Sequence, residues 1–116
     1  MVGDGLSPSG FDRVFQALSD PYRRRFVEQL ARGPASVNEL AAPEKIGLPA
    51  VLKHLRVLED GGIVVSEKIG RVRTYRMRKD AFDTVNQWIE QRQAEMNSAF
   101  DRLAVLMAQT PEQEDR

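Results

Sequence analysis

A mainly helical chain with one small β-hairpin, an α+β fold, is what this sequence predicts. Three observations lead there. Apolar residues recur at three- and four-residue spacings through most of the chain, the period of an amphipathic helix. That period gives way to a β-branched run at Ile63-Val64-Val65, followed by the turn Ile69-Gly70-Arg71 and the return strand Val72-Arg73-Thr74-Tyr75-Arg76-Met77. Capping sequences and Gly/Pro breaks cut the helical part into four helices before the hairpin and one after it.

Residues 1–8 contain two Gly, a Ser and a Pro without pattern and read as a flexible tail. The folded domain is expected over 9–109, with a polar tail at 110–116. Ser9 and Asp12 form a capping box for a first helix whose face is Phe11, Val14, Phe15 and Leu18. Ser19-Asp20-Pro21 breaks the chain and restarts it, with Asp20 as N-cap and Pro21 at the first helical position. The second helix runs to about Arg32, with Tyr22, Phe26, Val27 and Leu30 inward, and Gly33-Pro34 ends it. Its Arg23-Arg24-Arg25 reads equally well as a solvated face with one internal ion pair or as a phosphate contact.

Ser36-Val37-Asn38-Glu39 is another capping box, opening a short third helix that ends near Pro43. Glu44 to Gly47 make a turn anchored by Ile46. In the fourth helix Val51, Leu55 and Leu58 share the buried face, Leu48 is expected in the core, and Gly61-Gly62 stops the helix. Two short helices joined by a tight turn are a helix-turn-helix, and the hairpin that follows makes it winged. Over Asp80 to about Gln109, Phe82, Val85, Ile89, Met96, Ala99, Leu103 and Leu106 step by three and four as a heptad seam, with Arg92 at the missing position and Trp88, Phe100 and Met107 widening the stripe. Phe82 to Ile89 are expected to pack at home and Met96 to Met107 on a second copy. Tyr75 and Trp88 are expected as core aromatics.

A chain of 116 residues is one domain by length. It has no cysteine and one histidine, which leaves neither a thiolate nor a histidine-rich metal site. The first ten residues lack a basic region followed by an apolar run, and no apolar segment approaches the length of a membrane span, so a cytoplasmic protein is expected. Zero net charge conceals a strong asymmetry: residues 21–79 hold 13 Lys and Arg against 6 Asp and Glu, net +7, between a −2 start and a −5 end. A basic middle coinciding with the fourth helix and hairpin is a nucleic-acid footprint. Enzyme chemistry has no support: no nucleophile–base pair, phosphate loop or carboxylate dyad is arranged on any segment.

The expected double-stranded DNA contacts follow from helical spacing. Pro49, Lys53 and Arg56 oppose the buried face, with Ala50 and Leu52 beside them. Lys53 and Arg56 suit phosphates or guanine edges, while Pro49 and Ala50 allow close approach and touch thymine methyls. His54 reads as a half-buried brace or as a DNA contact. On the hairpin Lys68, Arg71 and Arg73 are the wing contacts, Arg71 at the tip for phosphate or minor groove. Arg73, Arg76 and Arg78 are expected to share one strand face.

FQALSDPYRRRFVEQLARGPASVNELA, LPAVLKHLRVLEDGGIVVSEKIGRVRTYRM and the late WIEQRQ and FDRLAVL resemble the ArsR-type winged-helix transcriptional regulators, over about residues 11–107. The specific parts are Asp20-Pro21-x-x-Arg24, Pro49-Ala50-Val51-x-Lys53-His54-Leu55, and Gly70-Arg71 before Tyr75. The resemblance implies a homodimeric DNA-binding repressor with a recognition helix at about 48–59, a wing at about 63–78, and dimerisation through the first and fifth helices. The residues carrying that interface here are Phe11, Phe15, Met96, Ala99, Phe100, Leu103, Leu106 and Met107. Members that sense metals use Cys pairs or His/Asp/Glu sets that this sequence lacks, so neither metal nor cofactor is expected. A small organic molecule, a partner protein or abundance alone is then the expected input. A winged-helix adaptor without a DNA site is the rival function, and the basic hairpin counts against it.

Overall fold

A computed structural model describes residues 10–109. The two expected tails, and Ser9 of the first expected capping box, lie outside that range. The chain divides after Asp83 into two compact units.

The first unit opens with α1 (Gly10–Leu18), which buries Val14 and Ala17. Phe15, expected at the contact between copies, is exposed in the single chain and meets Phe11 edge-on at 4.9 Å between ring centres. The chain then turns into α2 (Pro21–Arg32), and Asp20 caps it as expected. Asp20 Oδ1 accepts the backbone N–H of Tyr22 at 2.8 Å and of Arg23 at 3.2 Å. Burial pushes the Asp20 carboxyl upward, but those two N–H groups, together with the nearby His54 and Arg23 side chains, hold it below its ordinary value. Such a carboxylate stabilises the fold fully above the unfolded pKa of about 3.9, and the contribution is lost as pH falls through the lower folded value. Asp20→Ala is therefore expected to cost about 1 kcal/mol near neutrality. Urea unfolding at several pH values checks this, and the gap from wild type should narrow below roughly pH 4.

β1 (Ala35–Ser36) is a two-residue strand that the sequence does not announce; Ala35 lies opposite Tyr75 and Ser36 opposite Thr74. Ser36 also opens α3 (Val37–Ala41) with a complete capping box: its Oγ accepts the N–H of Glu39 at 3.1 Å, and Glu39 Oε1 accepts the N–H of Ser36 at 2.8 Å. α4 (Leu48–Asp60) follows, with Val51, Leu55 and Leu58 fully buried. Leu48 corrects the expectation of a core residue. It is 44% exposed, because the core does not reach the first turn of α4. The two glycines behind α4 have different tasks. Gly62 carries the positive φ of 75°, while Gly61 keeps a helical φ of −80°. Gly61 is needed for space instead: a Cβ there would sit 3.2 Å from the Arg13 carbonyl oxygen and 3.4 Å from Ala17 Cβ.

β2 (Val64–Ile69) and β3 (Val72–Met77) form the hairpin, with Ile69 opposite Val72 and Lys68 opposite Arg73. Its loop is two residues, Gly70 at φ 65° and Arg71, the pattern of a type II′ turn. The three strands run antiparallel in the order β1-β3-β2. Alternation along β3 corrects the expectation that Arg73, Arg76 and Arg78 share a face. Arg73 lies three residues from Arg76, so period two puts Arg73 with buried Tyr75 and leaves Arg76 on the opposite side. The core of this unit joins Phe26, Leu40, Val51, Leu55, Leu58, Ile63 and Val64, with Tyr75.

The second unit is the body of α5 (Asp83–Gln109). The helix starts three residues later than expected, since the N–H groups of Ala81 and Asp83 close turns onto the carbonyls of Arg78 and Asp80. Val85 is buried, but Trp88 and Ile89 are exposed, against the expectation that they sit in the core. Trp88 instead lies under the Arg92 guanidinium, 5.0 Å from ring centre to Cζ, and Arg92 also pairs with Glu95 at 3.0 Å. Met96, Phe100, Leu103, Leu106 and Met107 are between 49% and 67% exposed.

Candidate nucleic-acid interface

The outer side of α4 is built by subtraction. Once Val51, Leu55 and Leu58 are committed to the core, a 100° step leaves Pro49, Leu52, Lys53 and Arg56 in solvent and Ala50 half-buried. Near its N-terminal end that surface is slim, so another backbone can approach closely. Its two cations stand one turn apart.

His54 is turned away from this surface. Its ring stacks on Tyr22 at 5.6 Å and 22°, and its Nδ1 stands 3.1 Å from Arg23 Nη1 and 3.9 Å from Asp20 Oδ1. A guanidinium can only donate, so Nδ1 is the acceptor in that contact. The geometry is that of the bracing role, with the ring committed to α2. Tyr22 carries the Arg25 guanidinium on its ring, Cζ 4.6 Å from the centre. Arg25 in turn grips Glu44 through Nη2 at 2.9 Å and Nε at 3.1 Å. This run of Glu44, Arg25, Tyr22 and His54 ties the turn before α4, α2 and α4 itself into one rigid piece.

The rest of the arginine triplet serves the fold as well. Arg23 Nε donates to the Ala17 carbonyl at 2.6 Å and Nη2 to that of Gln16 at 3.2 Å, while Arg24 Nη1 donates to Leu18 at 2.7 Å. These are the last carbonyls of α1, which have no partner inside the helix. All three arginines thus have partners within the chain.

The hairpin is attached to the other end of α4. Ser66 Oγ donates to Glu59 Oε2 at 2.8 Å and accepts from Arg73 Nη1 at 2.9 Å. Arg73, expected as a DNA contact, is placed here as part of the wing's attachment. Since Glu59 follows Arg56 by three residues on α4, the attachment lies beside the open helix face. Lys68, paired across the strands with Arg73, shares its side of the hairpin. Arg71 occupies the tip.

The structure thus sorts the basic middle into two sets. Arg23, Arg24, Arg25, Arg73 and Arg78 hold partners within the chain. Lys53, Arg56, Lys68 and Arg71 make no hydrogen bond or ion pair among the described residues, and all four are exposed. Arg76 and Lys79, which sequence reasoning did not select, join this second set, as do the exposed Arg32 at the end of α2 and Lys45 in the turn before α4; strand alternation is the signal that separates Arg76 from Arg73. No group of three or more His, Cys, Asp and Glu among the described residues could hold a metal ion. No described helix is long and apolar enough to cross a membrane.

Comparison with known proteins agrees with this arrangement. A helix-turn-helix domain family matches residues 18–67, from the end of α1 into β2. The HTH-type transcriptional regulator Rv2034 of Mycobacterium tuberculosis is 44% identical over 66 residues, which are 57% of this chain. The chain spans 62% of the length of that relative. The crystal structure of an ArsR family transcriptional regulator is 42% identical, with a TM-score of 0.74 over 77% of this chain and 98% of that one. An ArsR-like transcriptional regulator from Rhodococcus is 27% identical, with a TM-score of 0.76 over 96% of this chain and 99% of its own. At 42% identity over nearly the whole length of the first of these structures, the chain belongs to the ArsR family of transcriptional regulators.

Proposed function

We propose that this chain binds double-stranded DNA as a homodimer and represses transcription by occupying an inverted-repeat operator. The observation that carries the reading is the sorting of cations. Those used by the fold are anchored, and Lys53, Arg56, Lys68 and Arg71 on α4 and the wing have no partner among the described residues. In this reading α4 lies in the major groove, which admits a helix, and Lys53 and Arg56 meet phosphates or guanine edges there. Pro49, Ala50 and Leu52 bring the helix close. The wing reaches along the backbone with Lys68, and Arg71 enters the minor groove. The brace through His54 and the link through Arg73 act as positioning contacts that present α4 and the wing as one surface. Two copies place their α4 helices one turn of DNA apart, about 34 Å.

The exposed stripe from Met96 to Met107, with Phe11 and Phe15, supplies the contact between copies. The input we assign is a small organic molecule or a partner protein that changes the spacing of the two α4 helices, or abundance of the protein alone. The chain acts inside the cell, where its DNA is.

A mobility shift with the duplex upstream of this chain's own reading frame, at several salt concentrations, tests the proposal. Wild type should bind with a steep salt dependence. Arg71→Ala should weaken binding to all duplexes and lower the salt slope by about one. An Arg71→Ala protein unchanged in both would remove the wing from the interface. Absence of any salt-sensitive binding by wild type would favour the adaptor.

A further inference from the structure

The geometry points to Ile69 and Val72 as a non-ionic DNA contact at the wing tip. The pair packs on the deoxyribose walls of the minor groove beside Arg71. The inference rests on the DNA-binding reading above and adds to it a contact that charge does not reveal. Ile69 and Val72 face each other across the strands, directly behind the two-residue turn. They are 62% and 50% exposed. One exposed apolar side chain needs no explanation. Two β-branched ones, paired across the strands at the tip of a mainly cationic flap, form an apolar patch that is half exposed or more.

The occupant follows from charge and size. Arg71 borders the pair in the turn, and Lys68 and Arg73 form the next cross-strand rung on the opposite face, while Glu67, the sole acid on the hairpin, stands one rung further back on the pair's own face. A matching surface is therefore apolar where it meets the tip and negative where Arg71 and Lys68 reach past it. The minor groove is such a surface, with sugar carbons for walls and phosphates along both rims. It is about 6 Å wide, whereas paired strands already lie about 4.8 Å apart before side chains are added. Only the turn and the first cross-strand pair behind it can enter. Arg71 is the turn residue with a side chain, and Ile69 and Val72 are that first pair. Period two turns both away from Lys68 and Arg73, so the wing has a cationic side toward α4 and an apolar side at its tip.

The test replaces both residues in the full chain, as Ile69→Thr with Val72→Thr. Threonine is β-branched, and cross-strand Thr pairs support a hairpin. The probe is a duplex that wild type selects from a randomised pool, titrated by fluorescence anisotropy at several salt concentrations. The threonine variant should bind about tenfold more weakly, with an unchanged salt slope and unchanged melting temperature. The swapped variant Ile69→Val with Val72→Ile should bind within about twofold of wild type. Equal binding by the threonine and wild-type proteins overturns the inference and leaves the DNA reading intact. A threonine variant whose loss comes with a salt slope lower by about one also overturns it, because the tip then acts through charge alone. A wild-type chain that selects no duplex overturns the DNA reading and this contact with it.

Discussion

Lys53→Ala combined with Arg56→Ala is expected to abolish specific DNA binding while leaving the fold intact. Each good contact from a basic side chain to a guanine edge discriminates by about 1–3 kcal/mol. Losing both lowers affinity for a selected duplex by roughly 10²- to 10⁴-fold. Neither side chain has a hydrogen-bond or ion-pair partner among the described residues, and exposed positions of that kind change stability by about 0.5 kcal/mol or less. Unfolding in urea should therefore be near wild type. The informative contrast is Arg23→Ala, equally cationic and on a neighbouring helix. Arg23 holds the carbonyls of Gln16 and Ala17 and meets His54 Nδ1, so its loss should destabilise the protein and affect binding only through that. Charge counting cannot tell these cations apart; their partners can. Near-wild-type affinity in the Lys53/Arg56 double variant, measured at low and moderate salt, would mean that α4 is not the element that reads DNA.

Local chemistry made much of the fold legible. Asp20-Pro21 and Ser36 with Glu39 open helices through bonds spanning two or three residues, so the sequence window contains the whole interaction. Val51, Leu55 and Leu58 follow a helical period and are all fully buried. Gly70 sits where a two-residue hairpin loop needs a positive φ. What escaped depends on partners far along the chain. β1 has two residues, too few to show a period, and its partner strand lies almost forty positions later. Gly61 was legible as a helix end but not as a close contact with Arg13 and Ala17, because that contact belongs to packing.

The candidate site divides in the same way. Helical spacing separated Lys53 and Arg56 from the core. It could not separate Arg23, which caps another helix, or Arg73, which is linked through Ser66 to Glu59. Long charged side chains reach several ångströms from their backbone, so position alone does not decide their partner. The misplaced face of Arg73 was avoidable, since its odd-numbered spacing from Arg76 already forbids a shared side in a regular strand.

The largest effect expected on assembly comes from Leu103→Glu with Leu106→Glu. Both leucines are exposed on the heptad stripe of α5. In a two-fold dimer four leucine side chains lose their cover at once. At about 1.5–3 kcal/mol for each buried side chain, the loss is roughly 6–12 kcal/mol before charge repulsion is added. Sedimentation should then show a monomer at concentrations where wild type is a dimer. Near-unchanged stability of the winged unit, followed by hydrogen exchange on α2, α4 and the hairpin, would show that only assembly was lost. DNA binding should fall by at least 10²-fold, since joining two half-site contacts raises the effective concentration of the second by 10²- to 10⁴-fold. A wild-type protein that sediments as a monomer removes the dimer itself. A dimeric wild type whose glutamate variant stays dimeric moves the interface off the α5 stripe, and the partnered face must then be sought on Phe11 and Phe15.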